Sequence, residues 1–258
     1  MFARLAIAVL LWLLPASVHA GALDAANAYS MADLDDPKAL VRHFNLYATA
    51  VKEDPRSYEA TWKAAKFAYY VWQKAAPKAE RLDVAKTIIL YGRKATELNA
   101  DGAEGWHWLA IGIGALGLTQ GVLNSMQLVP EFRKNMERSI ELDPDYYESS
   151  GMRNLARMYT LLPGMPVSIG SDAKAKELLD ACEKKYPNFS LTYLYLADWY
   201  WKRGDKKEAL AMLDETERRH PKNEGEIFFA PFVARQAVKV RKMIQSDTAR
   251  GLFDPMTD

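Results

Sequence analysis

Cysteine is nearly missing from this chain: Cys182 is the only one in 258 residues. A single thiol excludes an intramolecular disulfide and any cysteine cluster for zinc or iron–sulfur. Histidine is scarce as well, and the four present, at 19, 43, 107 and 220, fall in no metal-ligand spacing. No excess of one charge exists either, with 34 Lys and Arg against 33 Asp and Glu and a formal net charge of +1. A duplex-binding protein needs a basic surplus for its phosphate contacts, so no nucleic-acid partner is expected. Fourteen glycines and 12 prolines are too few for collagen-like or low-complexity chain. No Gly-rich phosphate loop, nucleophile elbow, zinc-binding His-Glu-x-x-His or calcium loop occurs, so no catalytic residue, metal or cofactor is expected. What the chain does have is apolar material, 49% of residues, enough for a sizeable core and too much for disorder.

Residues 1–20 read as a secretory signal. Arg4 precedes an apolar run from Leu5 to Leu14, then Pro15, and Val18-His19-Ala20 offers small residues at a cleavage site. Ten apolar residues are half of the roughly 20 that span a bilayer; the alternative is an uncleaved short anchor. Cleavage would leave 21–258 as one exported domain, expected in a bacterial periplasm. No cysteine follows the apolar run, so no lipid anchor is expected. A second stretch, Gly105 to Pro130, carries no Lys, Arg, Asp or Glu. It holds five glycines together with Gln120, Asn124, Ser125 and Gln127, which are costly in hydrocarbon. An apolar helix inside a soluble core fits it better than a membrane span.

The chain repeats itself. Helix tails ending in Asn, Asp or Pro recur at Glu53-Asp54-Pro55, Glu97-Leu98-Asn99-Ala100, Glu141-Leu142-Asp143-Pro144, Lys185-Tyr186-Pro187 and Arg219-His220-Pro221, with steps of 45, 44, 43 and 34 residues. The last step is the tetratricopeptide (TPR) period. In that unit Tyr193, Leu196, Ala197, Tyr200, Ala209, Leu213, Thr216 and Pro221 occupy the large and small slots of the TPR pattern. Small residues sit where two helices cross closely, and large ones fill the grooves beside them. The reading is an all-α, TPR-like superhelix of helix hairpins with long inter-helix loops. Pairs are expected near 58–75 with 78–98, 103–121 with 131–142, 146–162 with 172–185, and 190–203 with 206–219. A leading helix near 37–52 and a closing one near 226–246 would cap the stack. Extra residues gather in Gln120–Pro130 and Pro163–Ser171, and insertions at equivalent points emerge on one face of a solenoid.

Several residues stay open between packing and function. Ala110, Gly114, Gly117 and Gly121 share one helix face, which suits either a close helix crossing or a backbone-lined cavity. Trp199 and Trp201 fall outside the repeat slots and suit either packing or a concave partner surface. His107 is expected to pack, Cys182 to be buried at a helix crossing, and Asp35-Asp36 to start a helix. Arg235, Lys239 and Lys242 would form a solvated face of the closing helix.

Tyr91-Gly92-Arg93-Lys94-Ala95-x-Glu97-Leu98-Asn99 and Ala103-Glu104-Gly105-x-x-Trp108-Leu109-Ala110 resemble the T-component of TRAP transporters (TatT family). So do Gly151 with Arg153, and Leu162-Pro163-Gly164-x-Pro166-x-Ser168-x-Gly170 followed by Ala173 to Leu179. The resemblance covers about 91–215. It implies a periplasmic TPR-like protein that associates with the solute-binding P-component of the transporter. It also implies a cleft or pore for a small hydrophobic solute. Trp108, Gly114, Gly117, Gly121, Arg153, Pro163, Gly164, Pro166, Gly170, Trp199 and Trp201 are the ligand- or partner-binding candidates. Glu148-Ser149-Ser150 departs from the family, standing where a small, glycine-rich lead-in is expected. A general periplasmic scaffold for envelope assembly, without ligand, is the competing reading.

Overall fold

The computed structural model describes residues 21–121 and 123–246. The signal-peptide reading of 1–20 lies outside the described residues. Eleven α-helices run through the described chain: α1 (Ala22–Asn27), α2 (Pro37–Glu53), α3 (Tyr58–Lys74), α4 (Arg81–Leu98), α5 (Ala103–Gln120), α6 (Val129–Leu142), α7 (Tyr146–Leu161), α8 (Asp172–Lys185), α9 (Ser190–Arg203), α10 (Lys206–Arg218) and α11 (Glu224–Gln245). Every helix the repeat predicted is present, within a few residues. Short 3-10 turns at Met31–Asp35 and Leu123–Leu128 and the six-residue α1 are additions.

Local chemistry fixes these boundaries. The Asp36 side chain accepts from the Lys38 amide at 2.9 Å and Pro37 opens α2, so the acidic pair does start a helix. Ser57 caps α3 and Ser171 caps α8 in the same way. Gly204 ends α9 in the left-handed conformation, φ 90°, where a side chain would be strained.

Consecutive helices pack as hairpins, and α3, α5, α7 and α9 form the inner layer. The tightest hairpin is α4 on α5. A Cβ on Gly92 would lie 2.6 Å from the Leu109 backbone, and one on Gly112 would lie 2.8 Å from the Ile89 amide nitrogen. The close crossing therefore uses Gly92, Gly105 and Gly112, a different face of α5 from the Gly114–Gly117 stripe. No described helix is long and apolar enough to cross a membrane.

The closing helix does more than cap the end of the stack. Its Phe228 stacks on Tyr70 of α3 with ring centroids 3.9 Å apart, and Phe229 contacts Tyr69. The buried Phe228, Phe229, Phe232 and Val233 draw the first half of α11 into the concave interior. Arg235 and Lys242 are exposed, while Lys239 is half-buried.

Candidate functional site

Inside the superhelix lies a cavity of about 150 Å³. Tyr69 and Trp72 of α3, Gly114 and Gly117 of α5, Phe132 of α6, Met158 and Leu161 of α7 and Phe232 of α11 are among its walls. Gly114 and Gly117 line the cavity, and a Cβ on either would press on a side chain and not on backbone, Phe132 at 3.1 Å or Ser125 at 3.3 Å. The charge-free stretch 105–130 thus has two jobs, since Gly105 and Gly112 let α4 approach while Gly114 and Gly117 leave a void. Gly121 ends α5 at φ 91°, and its carbonyl accepts from the Ser125 hydroxyl at 2.8 Å. Ala110 is packed in the core.

The lining is mostly apolar, with a few polar groups. Tyr69 and Tyr195 face the cavity with hydroxyls that bond to no described protein group, and burial pushes both phenols up. Arg157 lines the wall and forms a buried ion pair with Asp198 of α9. The Trp72 indole N–H donates to the Thr119 hydroxyl at 3.3 Å.

A second chamber of about 20 Å³ adjoins the first, the two sharing Tyr69, Ile111, Asn154, Tyr195 and Phe229. Its walls include His107, Trp108, Tyr147, Ser150 and Arg153. Trp108, only 1% exposed, donates its indole N–H to the Tyr146 hydroxyl at 2.8 Å. His107 packs as expected, its ring edge-on to Trp108 and Tyr146, but neither ring nitrogen has a hydrogen-bond partner. Burial, with the nearby Arg153 charge, holds its pKa down at about 3.

Arg153 is fully buried and lies flat on the Phe189 ring, 3.7 Å from its centroid. It donates to the carbonyls of Glu148 and, at 3.1 Å, Tyr147. Those bonds hold an unusual turn, because Tyr147, Glu148 and Ser149 all have positive φ, 52°, 53° and 58°. Left-handed backbone costs a non-glycine residue roughly 1–2 kcal/mol. The departure from a glycine-rich lead-in therefore falls on a turn where glycine would be unstrained.

Trp199 and Trp201 line neither chamber. They are 8% and 2% exposed, so the concave-surface alternative is replaced by packing. Trp199 donates to the Asp172 carbonyl at 3.0 Å, and the Arg203 guanidinium covers its ring. Cys182 is buried, as expected, and burial raises its thiol pKa. The two insertions diverge. Ser125, Leu128 and Val129 of the first line the cavity, whereas the second leaves its edge at Leu162. That loop closes on itself, with a bridge between Gly164 and Gly170, a 2.9 Å bond from the Gly170 amide to the Pro163 carbonyl, and a cis Met165–Pro166 bond. Met165 and Val167 project from it, 80% and 71% exposed.

Sequence reasoning missed the polar cluster that pins α11. Lys66, in the middle of α3, pairs with Glu224 at 2.6 Å, and Glu224 also accepts from Tyr70 at 2.7 Å and Tyr29 at 2.9 Å. The Lys66 ammonium lies over the Tyr70 and Tyr147 rings, and burial lowers its pKa. A lone lysine in the run Ala64-Ala65-Lys66-Phe67-Ala68 was the available signal.

The stacked hairpins define a TPR-like helical-repeat protein. The model of the family described as regulator of microtubule dynamics protein 1-3 matches residues 24–229, and the chain belongs to that family. Among solved structures, a thermophilic TPR protein of Thermus thermophilus is similar with a TM-score of 0.60 at 16% identity, over 81% of this chain and 94% of that one. MamA is also similar, with a TM-score of 0.46 at 18% identity, over 70% of this chain and 88% of that one. No curated protein matches the chain. None of these matches is specific to the T-component of TRAP transporters.

Proposed function

We propose that this chain is an exported, non-enzymatic accessory of a solute-uptake system. In this reading it holds a small apolar solute and docks a periplasmic solute-binding protein, the P-component of a TRAP transporter. The observation that carries it is the mostly apolar cavity of about 150 Å³ inside the superhelix. A mostly apolar cavity of that size has room for a benzene-sized guest. Three further features support the reading: the TPR-like fold, whose repeats commonly present partner surfaces; the exposed Met165 and Val167; and the leader-like residues 1–20. The microtubule role in the family's description belongs to the proteins it was written for, and an exported chain would act elsewhere.

The test has three arms. Mass spectrometry of the secreted protein should find Gly21 at the N-terminus, and retention of 1–20 would overturn export. Calorimetric titration of the mature chain with toluene should show one saturable site. Absence of binding would favour the ligand-free scaffold. Pull-down of a cognate solute-binding protein should weaken when Pro163–Ser171 is scrambled, and unchanged capture would move the interface elsewhere.

A further inference from the structure

The small chamber has a chemistry that an apolar solute leaves unused. Arg153 is fully buried, yet no carboxylate oxygen of the described residues lies within ion-pair distance of it. Its hydrogen bonds go to two backbone carbonyls and to the buried Cys182 thiol, none of which carries a full negative charge. A buried cation is normally paired, because an uncompensated charge in a low-dielectric interior is costly. Glu148 is near enough to act on Arg153 through space, but its carboxyl is itself buried, its Oε2 has no hydrogen-bond partner, and burial pushes its pKa up. It is a poor counter-ion.

A second observation converges on the same chamber. His107 is a wall of it, and both of its ring nitrogens lack partners. As a neutral imidazole it keeps one N–H that can donate. Arg153 and His107 thus both line a space of about 20 Å³, room for a small polar group such as the end of a carboxylate. The adjoining apolar cavity would hold a single ring.

We propose that the protein binds small aryl monocarboxylates, with the ring in the apolar cavity and the carboxylate against Arg153 and His107. This assignment rests on the cavity being a ligand site, and it adds the head group. Charge-assisted hydrogen bonds are the strong ones, so the acid should gain about tenfold or more in affinity over its neutral parent.

The mature chain should be titrated calorimetrically with benzoate, phenylacetate and 3-phenylpropionate, and in parallel with toluene and ethylbenzene. At least one acid should bind about tenfold more tightly than either hydrocarbon. His107→Phe should reduce that advantage while leaving hydrocarbon binding intact. Arg153→Met should abolish it, but this change also loosens the 147–149 turn. The Arg153 Nε–H resonance of the unmutated protein is therefore followed as well, and it should shift with the tight-binding acid and not with toluene. Hydrocarbons binding as well as the acids would overturn the carboxylate assignment, leave the cavity reading standing, and mean that the chamber holds only water. Binding of neither class would overturn both.

Discussion

Replacing Gly117 with leucine separates a cavity wall from a helix crossing. The new Cβ would sit 3.3 Å from the Ser125 hydroxyl, with no backbone in its way, and the rest of the side chain would enter the cavity. Four added carbon atoms take up most of a space that suits a six-carbon ring. Leaving glycine gains about 0.8 kcal/mol in helix propensity, and burying a leucine side chain gains about 1.5–3 kcal/mol. Against this, Ser125 must move and weaken its bonds to the Gly117 and Gly121 carbonyls, at 3.0 and 2.8 Å, about 1 kcal/mol each. The net change should stay within about 2 kcal/mol, a Tm shift of no more than about 8 °C for a chain of this size. Gly112→Leu is the control. Its Cβ would lie 2.8 Å from the Ile89 amide nitrogen, and overpacking against backbone costs about 3 kcal/mol or more. Thermal unfolding followed by circular dichroism gives the stabilities, and toluene titration gives the binding. Gly117→Leu should lose binding and keep its Tm, whereas Gly112→Leu should lose Tm and keep binding while folded. If Gly117→Leu proves as damaging as Gly112→Leu, or still binds toluene, the assignment of the two glycine faces is wrong. Trp72, which lines the cavity, is the better fluorescence reporter; Trp108 lies on the smaller chamber.

His107→Phe should flatten the acid side of the stability profile. The folded pKa of about 3 lies below the ordinary 6.5, so the unfolded chain takes up this proton first as pH falls. The native protein is fully stable against this group above pH 6.5, then loses up to about 1.4 kcal/mol per pH unit on the way down to about 3. Urea unfolding at pH 7 and pH 5 checks it, and an unchanged slope in the variant would show that His107 is solvated. Lys66→Met leaves Glu224 without its cation and should cost about 3 kcal/mol, with Lys66→Met/Glu224→Leu recovering much of it; a fully additive double mutant refutes the coupling. Ser149→Gly should raise Tm by about 2–4 °C, because φ 58° costs glycine nothing, and a fall in Tm would show that the left-handed turn is not strained.

The sequence alone determined the helices, because their signals are local. The Pro-terminated tails, the small and large slots from Tyr193 to Thr216, and the capping residues Asp36 and Ser171 act within a few residues of where they stand. Repeat spacing then implied hairpin stacking, since each hairpin buries its apolar face only against the next. Candidate site residues were partly legible. The glycine helix announced an unusual surface, but Gly112 and Gly114 look alike in one dimension; which of them meets the Ile89 backbone and which meets the Phe132 ring at the cavity wall depends on the helix opposite. Trp199 and Trp201 drew attention by falling outside the repeat slots, and the fold buried them. Only tertiary structure brought Glu224 to Lys66, some 158 residues away, and thereby laid α11 inside the superhelix to close the cavity. Arg153 lost its chance of a counter-ion in the same way, because burial and pairing are properties of what packs around a side chain and not of its neighbours in sequence.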